Sequence, residues 1–88
     1  MLIRYFAAAS AAAGTDEERL ELPSGTSLEG LLKAILGVER SVQDPNAPAL
    51  STVLARSSFL LNGVATRHHQ IMLDADDTVD VLPPFAGG

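Results

Sequence analysis

The residues best suited to chemistry are the final six, Pro83-Pro84-Phe85-Ala86-Gly87-Gly88. Two prolines are stiff and extended, and the two closing glycines carry no side chain. From Leu82 such a segment reaches ~20 Å at ~3.3 Å per residue, far enough to bring the Gly88 carboxylate into a narrow active site on another protein. A frayed end is the plain alternative. With glycine near ~7 % of residues, however, a terminal pair arises by chance in about one chain in ~200, and here it follows a strand and a proline pair directly. Other residue types could be drawn as sites. His68-His69 lies near Asp74, Asp76, Asp77 and Asp80, but adjacent histidines on a strand point to opposite faces and the spacing fits no standard metal motif. The Asp74 to Asp77 run lacks the glycine and distal glutamate of a calcium loop. Ser57, Ser58, His68 and the aspartates contain the residue types of a hydrolase triad without a nucleophile elbow. Cysteine is absent, which removes thiolate metal sites and cysteine nucleophiles. The sequence therefore predicts no catalytic side chain, no metal and no bound cofactor of its own; the reacting group is the Gly88 carboxylate.

The bulk properties narrow the partners. At 88 residues the chain makes one domain, and 47 % hydrophobic against 19 % charged residues is a globular balance. Arg4, Arg19, Lys33, Arg40, Arg56 and Arg67 are scattered singly among eleven acidic residues, for a net charge of −5. Nucleic acid is disfavoured, because phosphate binding wants clustered basic residues. The longest apolar run, Tyr5 to Ala9, is far short of the ~20 residues that span a bilayer, so no membrane partner is expected. The Ala-rich stretch after Arg4 is a weak export signal whose cleavage near Ala13 would delete the first strand, and nothing requires an oxidising compartment. A cytoplasmic protein is expected.

The elements that must hold the tail are legible from pattern. Met1 to Phe6 predicts a strand with Met1, Ile3 and Tyr5 on one face and Leu2, Arg4 and Phe6 on the other. Ala7 to Ala13 predicts one or two helical turns ending at Gly14. Arg19 to Leu22 alternates as a second strand stopped by Pro23. Thr26-Ser27-Leu28-Glu29 has the spacing of a capping box, and Leu28, Leu31, Leu32 and Ile35 make one apolar stripe before Gly37. Val38 to Pro48 is a turn-rich loop, and Leu50 to Ala55 suits a helical turn. Ser58 to Leu61 and Val64 to Thr66 flank Asn62-Gly63, a strong hairpin signal. Ile71 to Leu73 is a short extended piece, and Thr78 to Leu82 is a last strand with Val79 and Val81 on one face.

First and last strands with two apolar faces belong in the middle of a sheet. Two antiparallel hairpins across one main helix, with those strands as parallel neighbours, make an α+β mixed sheet of the β-grasp, ubiquitin-like type. The domain is 1–82 and the extended tail 83–88. Placing Ile3, Tyr5, Val79 and Val81 on the helix side forces Phe6 and Leu82 onto the opposite face, as a partner interface.

Over nearly its whole length the sequence resembles the MoaD/ThiS sulfur-carrier family. The residues that carry the resemblance are Arg4-Tyr5-Phe6-Ala7 with Gly14, the capped helix, Leu61-Asn62-Gly63, Leu73 with Asp77 and Val79, and Pro83-Pro84-x-x-Gly87-Gly88. The last motif is most similar to the branch that forms small subunits of molybdopterin synthases; thiamine-pathway carriers usually lack the paired prolines. Two departures stand out. Ser10 occupies a position where the family often has Arg, which bears on one partner contact. Asp76 replaces a turn glycine, and Asp tolerates left-handed backbone geometry. The resemblance implies that Gly88 is adenylated by a ubiquitin-activating-like enzyme using ATP, thiocarboxylated from a sulfur donor system, and threaded with Pro83, Pro84, Phe85, Ala86 and Gly87 into the large synthase subunit. There it would supply sulfur to cyclic pyranopterin monophosphate in molybdenum cofactor biosynthesis. The alternatives are a ubiquitin-like modifier or interaction module, or a sulfur carrier for thiamine or cysteine biosynthesis.

Overall fold

The elements run β1 (Leu2–Tyr5), α1 (Ala8–Ala13), β2 (Glu17–Arg19), β3 (Thr26–Ser27), α2 (Leu28–Gly37), α3 (Leu50–Arg56), β4 (Ser58–Leu61), β5 (Val64–Thr66), β6 (Met72–Leu73) and β7 (Thr78–Leu82). They are seen in a computed structural model that describes residues 1–40 and 45–84. Five strands form one sheet in the order β2-β1-β7-β4-β5, and β3 and β6 form a two-stranded ribbon. β1 and β7 are parallel at the centre, Leu2 opposite Thr78 and Tyr5 opposite Val81, while β1–β2, β4–β7 and β4–β5 are antiparallel. This is the β-grasp arrangement that the strand order predicts.

One face of the sheet carries the core. Ile3, Tyr5, Phe59, Val79 and Val81 are buried with Leu28, Leu31 and Ile35 of α2, the α1 residues Ala9, Ala12 and Ala13, and Val53 and Leu54 of α3. Alanines on α1 leave little room between backbones, which lets a six-residue helix be absorbed into the core. Gly14 closes it in the left-handed conformation, φ 78°, with its N–H bonded to the Ser10 carbonyl. The hairpin also forms as its sequence requires, with φ 49° at Asn62 and 85° at Gly63, the positive pair that matches strand twist.

Four local expectations shift. The second strand is Glu17–Arg19, because Leu20 already bonds Met1 and β1 has no residue left to pair with Glu21 and Leu22. Leu20 and Leu22 still pack against the core. The helix cap is Ser27, whose Oγ accepts the Gly30 N–H at 3.0 Å. The Thr26 hydroxyl donates to the Pro23 carbonyl, and with Ser27 as the cap Glu29 falls one position short of the reciprocal contact and accepts from Gln70 instead. Gly37 is the last helical residue without left-handed geometry, and Val38 is the cap. At Asp76 the backbone does not enter the left-handed region; the Asp74–Asp77 turn is closed by the Asp77 N–H on the Asp74 carbonyl and by the Asp77 carboxylate accepting the Asp74 N–H. Those bonds, joined by Asn62, hold the Asp77 carboxyl below its ordinary range.

A polar cluster ties the far edge to the helices. Arg40 donates to Glu18 at 2.7 and 3.1 Å and to the carbonyls of Ala13 and Ile35. The Tyr5 hydroxyl donates to the same Glu18 carboxylate. Burial pushes Tyr5 well up, aided by Glu18. Burial also works to raise Glu18, but its bonds from Arg40 and Tyr5 outweigh that, and the carboxyl is held below its usual value. A carboxylate with a depressed folded pKa contributes stability above its unfolded value, ~4.3, and loses it as pH falls through the lower folded value. Glu18→Gln is therefore expected to cost ~1 to 3 kcal/mol at pH 7 in urea unfolding and to flatten the decline of stability in acid; an unchanged pH profile would show that the cluster is not coupled to folding.

Candidate functional site

The site builds from the point where β7 ends. Parallel pairing sets Tyr5 beside Val81, so the next residues, Phe6 just past the end of β1 and Leu82 at the end of β7, fall side by side on the face away from α2. The Phe6 N–H reaches the Val81 carbonyl at 3.3 Å. At Ala7 the chain reverses into α1 with φ 51° and ψ −126°, a conformation costly for a residue with a Cβ. The reversal leaves Phe6 40 % exposed, one of few large apolar side chains so placed among the described residues. Leu82 and Pro83 are half-buried and Pro84 is exposed.

Together Phe6, Ala7, Leu82, Pro83 and Pro84 line an open cleft of about 360 Å³, completed by Arg56 and Ser58. Antiparallel pairing explains the last two, since Ser58 lies opposite Leu82 and Arg56 closes the helix just before that strand. The structure thus brings Phe6, Leu82, Pro83 and Pro84 together at the tail's root. Phe85, Ala86, Gly87 and Gly88 lie outside the described residues.

Beside this cleft the outer face carries a buried charge. Asp80 is 4 % exposed and accepts from Arg4 at both oxygens, Nε at 2.6 Å and Nη2 at 2.8 Å. The Arg4 guanidinium is raised further above its already high pKa by that hydrogen bond and charge. It also sits 5.9 Å from the centre of the Phe6 ring, within cation–π range. By sequence Arg4 is one of the singly scattered basic residues and Asp80 one of the aspartates near His68-His69. Their signal was available only through the strand register, which sets Arg4 opposite Asp80. Arg56 was missed in the same way.

The other candidate constellations are dispersed. His68 and His69 lie in the loop after β5, not on a strand; both are exposed, and His69 stands edge-on to Phe59 at 5.6 Å. Ser57 caps α3 and donates to the Val53 carbonyl, whereas Ser58 belongs to the cleft. Ser10 donates to Asp16 on the rim of a second hollow that includes Arg4 and Phe6. Among the described residues no group of three or more His, Asp or Glu is placed to hold a metal ion, and no helix is long and apolar enough to cross a membrane.

A β-grasp sheet whose central strand runs out into Pro-Pro-x-x-Gly-Gly matches a family model over residues 3–88, and the chain belongs to the ThiS family. It is 32 % identical over 88 residues, 98 % of this chain and 95 % of the relative, to the molybdopterin synthase sulfur carrier subunit of Chlamydomonas reinhardtii. Among solved structures it is similar to a provisionally named molybdopterin converting factor subunit 1 from Pyrococcus furiosus, at 27 % identity and TM-score 0.68, covering 96 % of this chain and 95 % of that one. The fold is shared with small archaeal modifier protein 1 of Haloferax volcanii, at 23 % identity and TM-score 0.73 over 100 % of this chain and 98 % of that one.

The Arg4–Asp80 pair makes a stability prediction. Removing only the arginine strands a buried carboxylate, whereas removing both charges leaves an apolar strip. Arg4→Leu is expected to lower Tm by ~5 to 10 °C, and the double variant Arg4→Leu with Asp80→Leu to recover most of that loss. Equal melting of parent and Arg4→Leu in a thermal scan would count against any such dependence.

Proposed function

We propose that this chain is the sulfur carrier of a molybdopterin synthase. In this reading an ATP-dependent, ubiquitin-activating-like enzyme adenylates the Gly88 carboxylate, a sulfur donor converts it to a thiocarboxylate, and the tail enters the large synthase subunit to deliver sulfur to cyclic pyranopterin monophosphate. The observation that supports it most is the continuity of the family match through the Gly-Gly end, residues 3–88.

The chemistry accounts for the residue types. A carboxylate has no good leaving group. Its oxygen attacks the α-phosphorus of ATP, pyrophosphate departs, and the acyl carbon now carries AMP. A sulfide-equivalent donor attacks that carbon, the C–S bond forms, and AMP leaves with the C–O electron pair. The thiocarboxylate sulfur is then itself a nucleophile. Its attack on an electrophilic carbon of the acceptor joins the two through a thioester, and water attack on the acyl carbon then breaks the C–S bond, leaving the sulfur and its electron pair on the acceptor and restoring the carboxylate. Acid–base catalysis falls to the partners, and this chain contributes reach, a narrow profile and a recognition face.

Deleting Gly87 and Gly88 is expected to leave the circular dichroism spectrum unchanged and to abolish sulfur transfer, because both residues follow the last strand and neither has a side chain to bury. Intact mass after incubation with ATP, the activating enzyme and a sulfur donor reads the outcome directly, as replacement of one oxygen by sulfur. Isopeptide-linked conjugates in place of that species would assign the carboxylate to protein modification. Gly88→Val should keep the affinity for the large subunit while lowering thiocarboxylate yield ~10²-fold, since displacing the reacting carbon by ~1 Å is enough to do so. Equal modification of variant and parent would sink the threaded-tail mechanism.

A further inference from the structure

We propose that Arg56 is the charge-recognition residue of the tail-root cleft, receiving a carboxylate from the protein that accepts the tail while an apolar side chain of that partner seats against Phe6 and Leu82. The assignment rests on the carrier reading, which supplies the partner, and adds to it the chemistry of the contact.

Three observations carry it. First, the two arginines that stand over aromatic rings of β1 and its extension are committed: Arg4, beside Phe6, is held by both oxygens of Asp80, and Arg40, beside Tyr5, by Glu18 and two carbonyls. Arg56 makes no ion pair or hydrogen bond with the described residues, and its side chain is exposed. Second, among the described residues Arg56 is the one charged residue lining the cleft, beside Phe6, Leu82, Pro83 and Pro84. The cleft is locally positive on a chain whose net charge is −5. Third, its apolar floor excludes water from a docked partner, where a planar guanidinium engages a carboxylate through two parallel hydrogen bonds.

The charge distribution specifies the partner further. A chain of net charge −5 is repelled by a generally acidic surface and attracted by a basic one. The fitting surface is therefore neutral or basic overall, with one carboxylate next to an apolar knob. That arrangement fixes the register in which the tail is presented. Arg56 also stands in the last turn of α3, where a cation favours the helix dipole. A purely structural role of that kind would change melting and leave binding untouched.

The test uses the full chain with a molybdopterin synthase large subunit from the same organism as the calorimetric probe. Arg56→Glu is expected to weaken binding ~30-fold or more, the effect of a desolvated like-charge contact. Arg56→Lys should lose ~3- to 10-fold, keeping the charge without the fork. Lys33→Glu, the same charge change on the exposed side of α2, across the sheet from the cleft, should stay within ~2-fold, in the range of an exposed surface charge. Thermal scans of all three check that the fold is intact. Arg56→Glu binding within ~2-fold of the parent overturns the assignment alone, as does a Lys33→Glu loss of equal size, which would mark a bulk charge effect. A parent chain that self-associates through this cleft, with Arg56→Glu dispersing the dimer, would give the cleft to a second copy and also overturn it. No binding by the parent overturns the carrier reading and this assignment together.

Discussion

Everything in this molecule depends on the parallel pairing of β1 with β7. The two strands lie at opposite ends of the chain, and the ladder from Leu2–Thr78 to Tyr5–Val81 makes them adjacent at the centre of the sheet. Four buried side chains, Ile3, Tyr5, Val79 and Val81, meet α2 from that pair. Because side chains alternate, the same ladder fixes Arg4 against Asp80 on the opposite face and releases Phe6 beside Leu82. A slip of one residue would drive Arg4 and Asp80 into the helix interface and turn the core outward. Core, ion pair and tail root are thus set by one register.

The two ionic clusters serve that register differently. Glu18 joins Tyr5 of the central strand to Arg40, which in turn bonds the carbonyl ends of α1 and α2. It is a strut between layers whose carboxylate is well satisfied, so its loss in acid loosens several elements at once. The Arg4–Asp80 pair lies on the open face and bridges β1 and β7 directly. A pair with a buried Asp80 carboxylate and a largely exposed Arg4 guanidinium adds little net stability. Its contribution here is selectivity, since every misaligned pairing leaves a carboxylate buried without its guanidinium.

The proposed function separates reach from recognition. In that reading the tail enters another protein's active site, and a thin segment has little area with which to bind. Affinity would then come from the domain, and the cleft beside Pro83 and Pro84 is a surface able to supply it. The unusual backbone at Ala7 is consistent with that division, because the reversal keeps Phe6 outside the core. On the same proposal the reacting group is the Gly88 carboxylate, activated by the partners.

How much was legible in the sequence divides along the range of the interactions. Local periodicity determined the helix stripe Leu28-Leu31-Ile35, the Asn62-Gly63 hairpin and the alternation that buries Ile3 and Tyr5, because each depends on neighbours within a few residues. Placing the two two-faced strands in the middle of the sheet also needed only their composition. Tertiary structure decided the rest. The end of β2 is set by where β1 runs out, the helix cap is Ser27 while the Thr26 hydroxyl goes to the Pro23 carbonyl, and His68 and His69 lie in a loop. Arg4 with Asp80, Glu18 with Arg40, and Arg56 with Phe6 are separated by 76, 22 and 50 positions. No local pattern marks such pairs, since opposite charges far apart in a chain are common and only the strand register and helix packing select which of them meet.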